Sequence, residues 1–286
     1  MPSVTGHADT ADGVSLLTRH WRAEDPWAAL LLVHGLGEHS GRYEHVGDRF
    51  AAAGLETFAY DHRGNGRSAG RRGDIDRWSR YHDDMGERLA AVRQAAHGRP
   101  VIVYAHSMGG LIAAGYLLSD RPRPDATVLS APGLDSTLAR WKVALAPVLG
   151  RILPTLTVPN GVRAETLSRD PEVGRRLAAD PSNERASTAR FGAEAIREQQ
   201  RVRAAADRIG GPTLVIHGLD DGLVPPAASE AFAGAPGVER RTYPGLRHEL
   251  HNEPEWRDVL DDVVAWLRSA TLRPQPNTAS GERLER

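Results

Sequence analysis

Short apolar runs alternate along this chain with segments in which apolar residues recur at helical spacing. Several of the runs are apolar on both faces, as strands buried inside a parallel sheet are. Strands are predicted over Ser15–Trp21, Ala28–Val33, Glu56–Tyr60, Val101–Tyr104, Ala126–Ser130, Thr213–Ile216 and Glu239–Tyr243. Helices are predicted over Tyr43–Ala53, Trp78–Ala96, Met108–Leu118, Ala227–Ala233 and Glu255–Leu267. The alternation indicates an α/β protein with a mostly parallel, doubly wound sheet.

The alternation is interrupted over residues 133–209, where no strand pattern is found and Arg, Ala and Pro are frequent. We therefore expect a helical cap, or lid, inserted between two parts of the core, residues 1–132 and 210–270. Residues 271–286 are polar and aperiodic, and they predict a disordered tail.

The first segment of this insertion, residues 138–149, predicts a helix that is apolar on more than one face. Leu138, Trp141, Leu145 and Val148 share one face, whereas Val143, Ala144 and Ala146 keep the other face apolar. Such a helix is either fully buried, or it packs through one face and presents an apolar outer face to lipid or to an acyl chain. In the second case Val143 and Leu149 are expected on the outer face. Both interpretations stay open at the level of sequence.

The amino-acid composition limits the kinds of molecule that the protein is expected to bind. The 36 Lys and Arg residues are matched by 37 Asp and Glu residues, so the basic excess that would attract nucleic acid is lacking. There is no cysteine for a disulfide or a thiolate metal site. The longest apolar stretch, Trp27–Val33, is far too short to span a membrane. We expect a soluble cytoplasmic protein, with peripheral membrane association and oligomeric state left open.

One serine lies between a predicted buried strand and a predicted helix, in the run Ala105-His106-Ser107-Met108-Gly109-Gly110. Small residues at 105 and 109 allow a sharp elbow, and Ala105 stands where the commoner G-x-S-x-G motif has glycine. A helix N-terminus also favours negative charge. Ser107 is therefore a candidate nucleophile; the alternative is an ordinary turn in which it caps the helix.

A nucleophilic serine needs a base and an acid that orients the base. Asp221 follows the strand Thr213–Ile216, and His248 follows the strand Glu239–Tyr243. The resulting order of serine, aspartate and histidine is the one that the α/β-hydrolase fold imposes. Asp220 is the alternative acid. His106 and His217 are expected to be structural hydrogen-bonding residues.

If such a serine attacks an ester carbonyl, two backbone N–H groups are also needed to stabilise the oxyanion that forms. Met108, directly after the serine, is expected to supply one. The other is expected from Leu36 in the run His34-Gly35-Leu36-Gly37, which follows the strand Ala28–Val33.

Four segments carry a resemblance to a known family. They are His34-Gly35-Leu36-Gly37-Glu38-His39-Ser40-Gly41-Arg42-Tyr43, Asp61-His62-Arg63-Gly64-Asn65-Gly66-Arg67-Ser68, Ala105-His106-Ser107-Met108-Gly109-Gly110 and Tyr243-Pro244-Gly245-Leu246-Arg247-His248-Glu249. Together they resemble the monoacylglycerol lipases, especially the bacterial and mycobacterial ones. The likeness runs from about Ser15 to Leu267 and includes segments 167–172 and 179–181 of the insertion.

The resemblance implies an α/β-hydrolase that releases a fatty acid and glycerol from a monoacylglycerol through an acyl-enzyme, with no cofactor and no metal. In that family, residues at the positions of Glu38, Arg42, Tyr43 and His251 lie near the glycerol end of the substrate. The alternative is a polar network that braces the loop, with Glu38 and Arg42 as an i,i+4 pair. Two other functions stay open: a broader carboxylesterase or lysophospholipase with the same triad, and a ligand-binding protein without turnover.

Overall fold

The structure is a computed structural model that describes residues 3–271. Ten strands run β1 Val4–Asp9, β2 Ser15–Trp21, β3 Ala28–Val33, β4 Leu55–Tyr60, β5 Val101–His106, β6 Ala126–Ser130, β7 Thr157–Pro159, β8 Ala186–Thr188, β9 Thr213–Gly218 and β10 Val238–Tyr243. Eight α-helices run α1 Glu44–Ala52, α2 Ser79–Ala96, α3 Met108–Leu117, α4 Arg140–Ile152, α5 Ala164–Leu167, α6 Pro171–Ala179, α7 Ala189–Ala204 and α8 Trp256–Thr271. Among these residues, no helix has the length and apolar character needed to cross a membrane.

Eight strands form one sheet in the order β1-β2-β4-β3-β5-β6-β9-β10. Pairing is parallel from β4 through β10, whereas β1 and β2 are joined antiparallel at one edge. The central strands β3, β5 and β9 are buried along their whole length, because helices cover both faces of the sheet.

The two faces of the sheet are covered by different helices. One layer packs α2 and α3 on the sheet through residues such as Tyr81, Leu89 and Ile112. The other packs α1 and α8 through residues such as Phe50 and Leu260. This arrangement confirms the predicted mostly parallel, doubly wound sheet. Its parallel strands all end at the same edge, which is where ligands bind in such folds.

All seven predicted strands are present, with small changes at their ends, but three strands were missed. β1 is polar and mostly exposed because it is an edge strand that pairs only with β2. β7 and β8 lie inside the insertion, residues 133–209, where no strand was expected; each has three residues, and they pair with each other. Such short or exposed strands lack the apolar signal of a buried one. The predicted disordered tail beyond Thr271 lies outside the described residues.

The first helix of the insertion, α4, corrects one expectation. None of its residues is buried, so the fully buried interpretation is wrong. Trp141 is 65% exposed and Val148 49% exposed, whereas Val143 and Leu149 are half-buried. α4 packs on α7, and a Cβ on Gly150 would lie 2.6 Å from the Cβ of Ala193. The outer face is therefore that of Trp141, and the expectation that Val143 and Leu149 lie on it is wrong.

Candidate active site

The turn after β5 holds Ser107 in a conformation that L residues rarely adopt, with φ 52° and ψ −117°. The helix α3 starts at the next residue, and the N–H of Leu111 donates to the Ser107 carbonyl at 3.0 Å. A Cβ on Gly109 would lie 2.3 Å from the Val33 carbonyl oxygen, so only glycine permits α3 to pack this closely on β3. The Ser107 hydroxyl makes no capping hydrogen bond, which excludes the ordinary helix cap.

The Ser107 hydroxyl instead meets His248. Its Oγ lies 2.9 Å from His248 Nε2, and His248 Nδ1 lies 2.7 Å from Asp221 Oδ2. The three residues come from the loops after β5, β9 and β10, and each is nearly inaccessible to solvent. A hydroxyl, an imidazole and a carboxylate are thereby joined in one hydrogen-bonded chain. Asp220, the alternative acid, is exposed.

Asp221 accepts four hydrogen bonds, which use the acceptor sites of both its oxygens. Oδ1 accepts from the N–H groups of Leu223 at 2.8 Å and Val224 at 2.9 Å, while Oδ2 lies against both His248 and His217. Burial opposes ionisation of Asp221, but the hydrogen bonds from His217 and His248 outweigh it and hold its pKa below the ordinary value. The carboxylate is therefore charged when it faces His248.

His217 is the fourth side chain of this cluster. Its Nε2 lies 3.0 Å from Asp221 Oδ2 and 3.2 Å from the Val224 carbonyl oxygen. A carbonyl oxygen can only accept, so Nε2 carries the proton and donates to both oxygens. Sequence reasoning assigned His217 a structural hydrogen bond without naming its partner; that partner is Asp221.

The loop after β3 passes next to the serine. A Cβ on Gly35 would lie 3.1 Å from the Ser107 Cβ. The start of this loop is fixed by a reciprocal pair in which the His62 N–H donates to His34 Nε2 and His62 Nε2 donates to the His34 carbonyl, both at 2.9 Å. Leu36 is half-buried two residues beyond His34, and Met108 is the first residue of α3. Both predicted donors thus belong to segments adjoining Ser107.

Glu38, Arg42 and Tyr43 form a buried polar network beneath that loop. Glu38 accepts from the Gly35 N–H at 2.5 Å, from the Tyr43 hydroxyl at 2.6 Å and from Arg42 at 2.6 Å. Arg42 also binds both oxygens of Glu249, at 2.8 and 2.9 Å. These contacts match the bracing network that was the alternative to a glycerol site. Glu249 was not predicted as a site residue, although its position directly after His248 could have indicated that it lies in the site.

His251 lies behind the network and is fully buried. Its ring stacks on Tyr43 at 4.7 Å and meets the edge of His106 at 4.7 Å, and His106 in turn lies 4.8 Å from His248. Burial lowers the pKa of His106 to about 4 and holds that of His251 well below 6.5. Both rings are therefore neutral at neutral pH.

Comparison with known proteins identifies the family of this chain. The family model of serine aminopeptidase, S33, matches residues 24–255. The chain is 38% identical over 266 residues to the monoacylglycerol lipase of Mycolicibacterium smegmatis, which covers 90% of this chain and 94% of the relative. It belongs to the monoacylglycerol lipase family. The human monoglyceride lipase is 30% identical over 278 residues, covering 93% of this chain and 90% of its own.

A solved member of the monoacylglycerol lipase family has the same fold. The crystal structure of the Paleococcus ferrophilus monoacylglycerol lipase superposes with a TM-score of 0.76 at 29% identity, covering 94% of this chain and all of that one. The expected α/β-hydrolase fold is therefore confirmed. The chain thus combines the fold of the monoacylglycerol lipase family with a hydrogen-bonded serine, histidine and aspartate.

Proposed function

We propose that this protein is a serine hydrolase that cleaves the ester bond of monoacylglycerols to give a fatty acid and glycerol. The observation that carries the proposal is the hydrogen-bonded chain from Ser107 through His248 to Asp221. The likeness to the mycobacterial monoacylglycerol lipase supplies the substrate class. No cofactor takes part in the chemistry we propose.

In the first half of the reaction, His248 Nε2 accepts the Ser107 proton while Oγ attacks the ester carbonyl. The imidazolium then donates that proton to the departing glycerol oxygen as the tetrahedral intermediate collapses to the acyl-enzyme. In the second half, His248 takes a proton from water as the water attacks the acyl carbon. The imidazolium then returns that proton to Ser107 Oγ as the bond from Oγ to the acyl carbon breaks and the fatty acid leaves. Asp221 holds the imidazole in the tautomer that this requires and stabilises its charged form.

We assign the oxyanion hole to the backbone N–H groups of Leu36 and Met108. The support is the position of Gly35 against Ser107 and the start of α3 at Met108. Loss of one such donor costs roughly 3 to 4 kcal/mol of transition-state stabilisation, or about two to three orders of magnitude in rate.

We further propose that the insertion is a cap whose outer helix α4 makes transient contact with lipid surfaces. Support comes from the exposed apolar side chains along α4 and just beyond it, namely Leu138, Trp141, Leu145, Val148, Ile152 and Leu153. Contact of Glu38, Arg42, Tyr43 and His251 with the glycerol group stays a prediction. The hydrogen bonds of Glu38, Arg42 and Tyr43 to one another favour a bracing role for those three.

The decisive experiment compares the parent with Ser107→Ala on a long-chain monoacylglycerol, a lysophospholipid and a short nitrophenyl ester. We expect the parent to prefer the monoacylglycerol, and the variant to lose about a millionfold in kcat, as loss of such a nucleophile does elsewhere. Ser119→Ala, which makes the same change just beyond the far end of α3, is the matched control and should retain full activity.

A fluorophosphonate probe should label the parent once per chain and leave Ser107→Ala unlabelled. A parent that prefers the lysophospholipid or the short ester would replace the substrate class by the broader esterase alternative. A parent that binds lipid but is neither labelled nor active would favour a binding protein and overturn the proposal.

A further inference from the structure

The segment around α6, residues 167–184, is attached at its two ends to two different loops of the active site. At the first end, the Glu249 N–H donates to the Leu167 carbonyl at 2.8 Å, one residue beyond His248. At the second end, the Glu184 N–H donates to the Gly37 carbonyl at 2.9 Å, one residue beyond Leu36. The insertion therefore connects the histidine loop with the loop that we assign to the oxyanion hole.

A side-chain pair strengthens the second attachment. His39 Nε2 lies 2.7 Å from Asp180 Oδ2, at the end of α6. The Gly41 N–H donates to His39 Nδ1 at 3.2 Å, so Nδ1 is the acceptor. Nε2 therefore carries the hydrogen and donates the hydrogen bond to Asp180. Asp180 is itself fixed, because its Oδ1 accepts from the Ser182 N–H at 2.8 Å. Side-chain exposures of 12% for His39 and 31% for Asp180 keep much of the pair away from solvent.

The backbones of the insertion and the loop also pack directly on one another. Gly37 has a φ of 70°, and a Cβ there would lie 2.4 Å from the Glu184 carbonyl oxygen. That carbonyl accepts from Asn160 Nδ2 at 2.8 Å, and Asn160 Oδ1 accepts from the Ser187 hydroxyl at 2.6 Å. The surface on which Gly37 rests is therefore a hydrogen-bonded part of the insertion.

We propose that His39 and Asp180 are positioning residues through which the insertion sets the oxyanion hole. Leu36 lies between His34, which the core holds through His62, and His39, which the insertion holds through Asp180. Fixing both ends adds to the hydrogen bond from the Gly35 N–H to Glu38 and keeps the Leu36 N–H aimed at the developing oxyanion before the reaction starts. This inference rests on the proposed function, in which that N–H is a donor.

The test is Asp180→Ala, measured on a soluble nitrophenyl ester so that lipid contact has no part. We expect kcat to fall about tenfold or more with KM nearly unchanged, because a donor that is displaced rather than deleted loses part of its effect. Affinity for a trifluoromethyl ketone, whose adduct with Ser107 carries an oxyanion, should fall by a similar factor. Asp180→Asn keeps an acceptor oxygen for His39 and should restore most of the rate.

Further variants distinguish the loss of positioning from a general loss of structure. Glu172→Ala removes another carboxylate of α6, one paired with Arg175 on the surface, and should leave kcat and ketone affinity at the parent level. His39→Ala should resemble Asp180→Ala, and the double variant should be no worse than either one, because both substitutions remove the same contact.

The inference is overturned if Asp180→Ala keeps the kcat and the ketone affinity of the parent. It is also overturned if only KM changes, or if the effects of His39→Ala and Asp180→Ala multiply. Failure of the proposed function would look different, because it concerns the parent itself. The parent would then prefer a lysophospholipid or the short ester, or it would neither turn over an ester nor react with a fluorophosphonate.

Discussion

At the scale of single residues, Asp221 shows how the fold fixes one protonation state. Four donors surround its carboxylate, two from the backbone and two from imidazoles. Hydrogen bonds to a charged group contribute about 1.5 to 3 kcal/mol each. The carboxylate thus stays ionised despite burial, and it is held in one orientation towards His248.

Replacing His217 tests that arrangement. His217→Leu removes one donor to Asp221 Oδ2, so we expect the carboxylate to shift and kcat for a soluble ester to fall about tenfold with little change in KM. His217→Gln retains an N–H donor and should keep most of the activity. Steady-state kinetics of both variants, with circular dichroism to check folding, measure the effect. Equal kcat values for the two variants would show that the hydrogen bond from the side chain at position 217 to Asp221 does not affect catalysis.

Sequence sufficed to identify Ser107, Asp221 and His248 as the candidates, because each lies in a short motif that follows a strand of the sheet. Their loops converge since parallel strands end at one edge of the sheet. Which side chains of different motifs pair with each other was not predictable. His39 meets Asp180 across 141 residues of chain, and Arg42 meets Glu249 across 207, and neither pairing leaves a periodic signal.

At the scale of elements, α4 shows where periodicity is ambiguous. The helix is apolar on more than one face, so sequence could not tell which face packs. In the structure the half-buried face lies on α7, and the face of Trp141 and Val148 meets solvent. Ambiguity of this kind is resolved only by tertiary contacts.

The exposed face of α4 gives a prediction about lipid. Trp141→Ser combined with Val148→Ser should lower the rate on emulsified monoacylglycerol about tenfold or more, since burying one such side chain contributes about 1.5 to 3 kcal/mol. The rate on a soluble ester and the melting temperature should stay near the parent values. Parallel assays on the two substrates measure the difference.

Val143→Ser combined with Leu149→Ser is the matched control, because it changes the half-buried residues of the same helix. This variant should lose melting temperature and both activities together. If the outer-face variant acts on the emulsion as fast as the parent, contact of α4 with lipid is excluded.

At the scale of the whole molecule, several buried histidines make stability depend on pH. Burial lowers the pKa of His34 and of His106 to about 4, and it holds the pKa of His62 and His251 well below 6.5. All four therefore stay neutral in the folded state under conditions in which an unfolded chain would protonate them. Their contribution to stability is complete above about pH 6.5 and is lost as the pH falls.

His251→Phe isolates one of these contributions. Phenylalanine keeps the aromatic contacts with Tyr43 and His106 but cannot bind a proton. In the parent, His251 should lower the free energy of unfolding by up to about 1.4 kcal/mol per pH unit as the pH falls below 6.5, because burial holds its pKa in the folded state well below that value. Urea unfolding at pH 7, 6, 5 and 4 should therefore give a shallower decline for the variant. The control is His7→Gln, which removes an exposed histidine of β1; its free energy of unfolding should decline with pH as that of the parent does. If His251→Phe declines as steeply as the parent, His251 does not contribute to the pH dependence of stability.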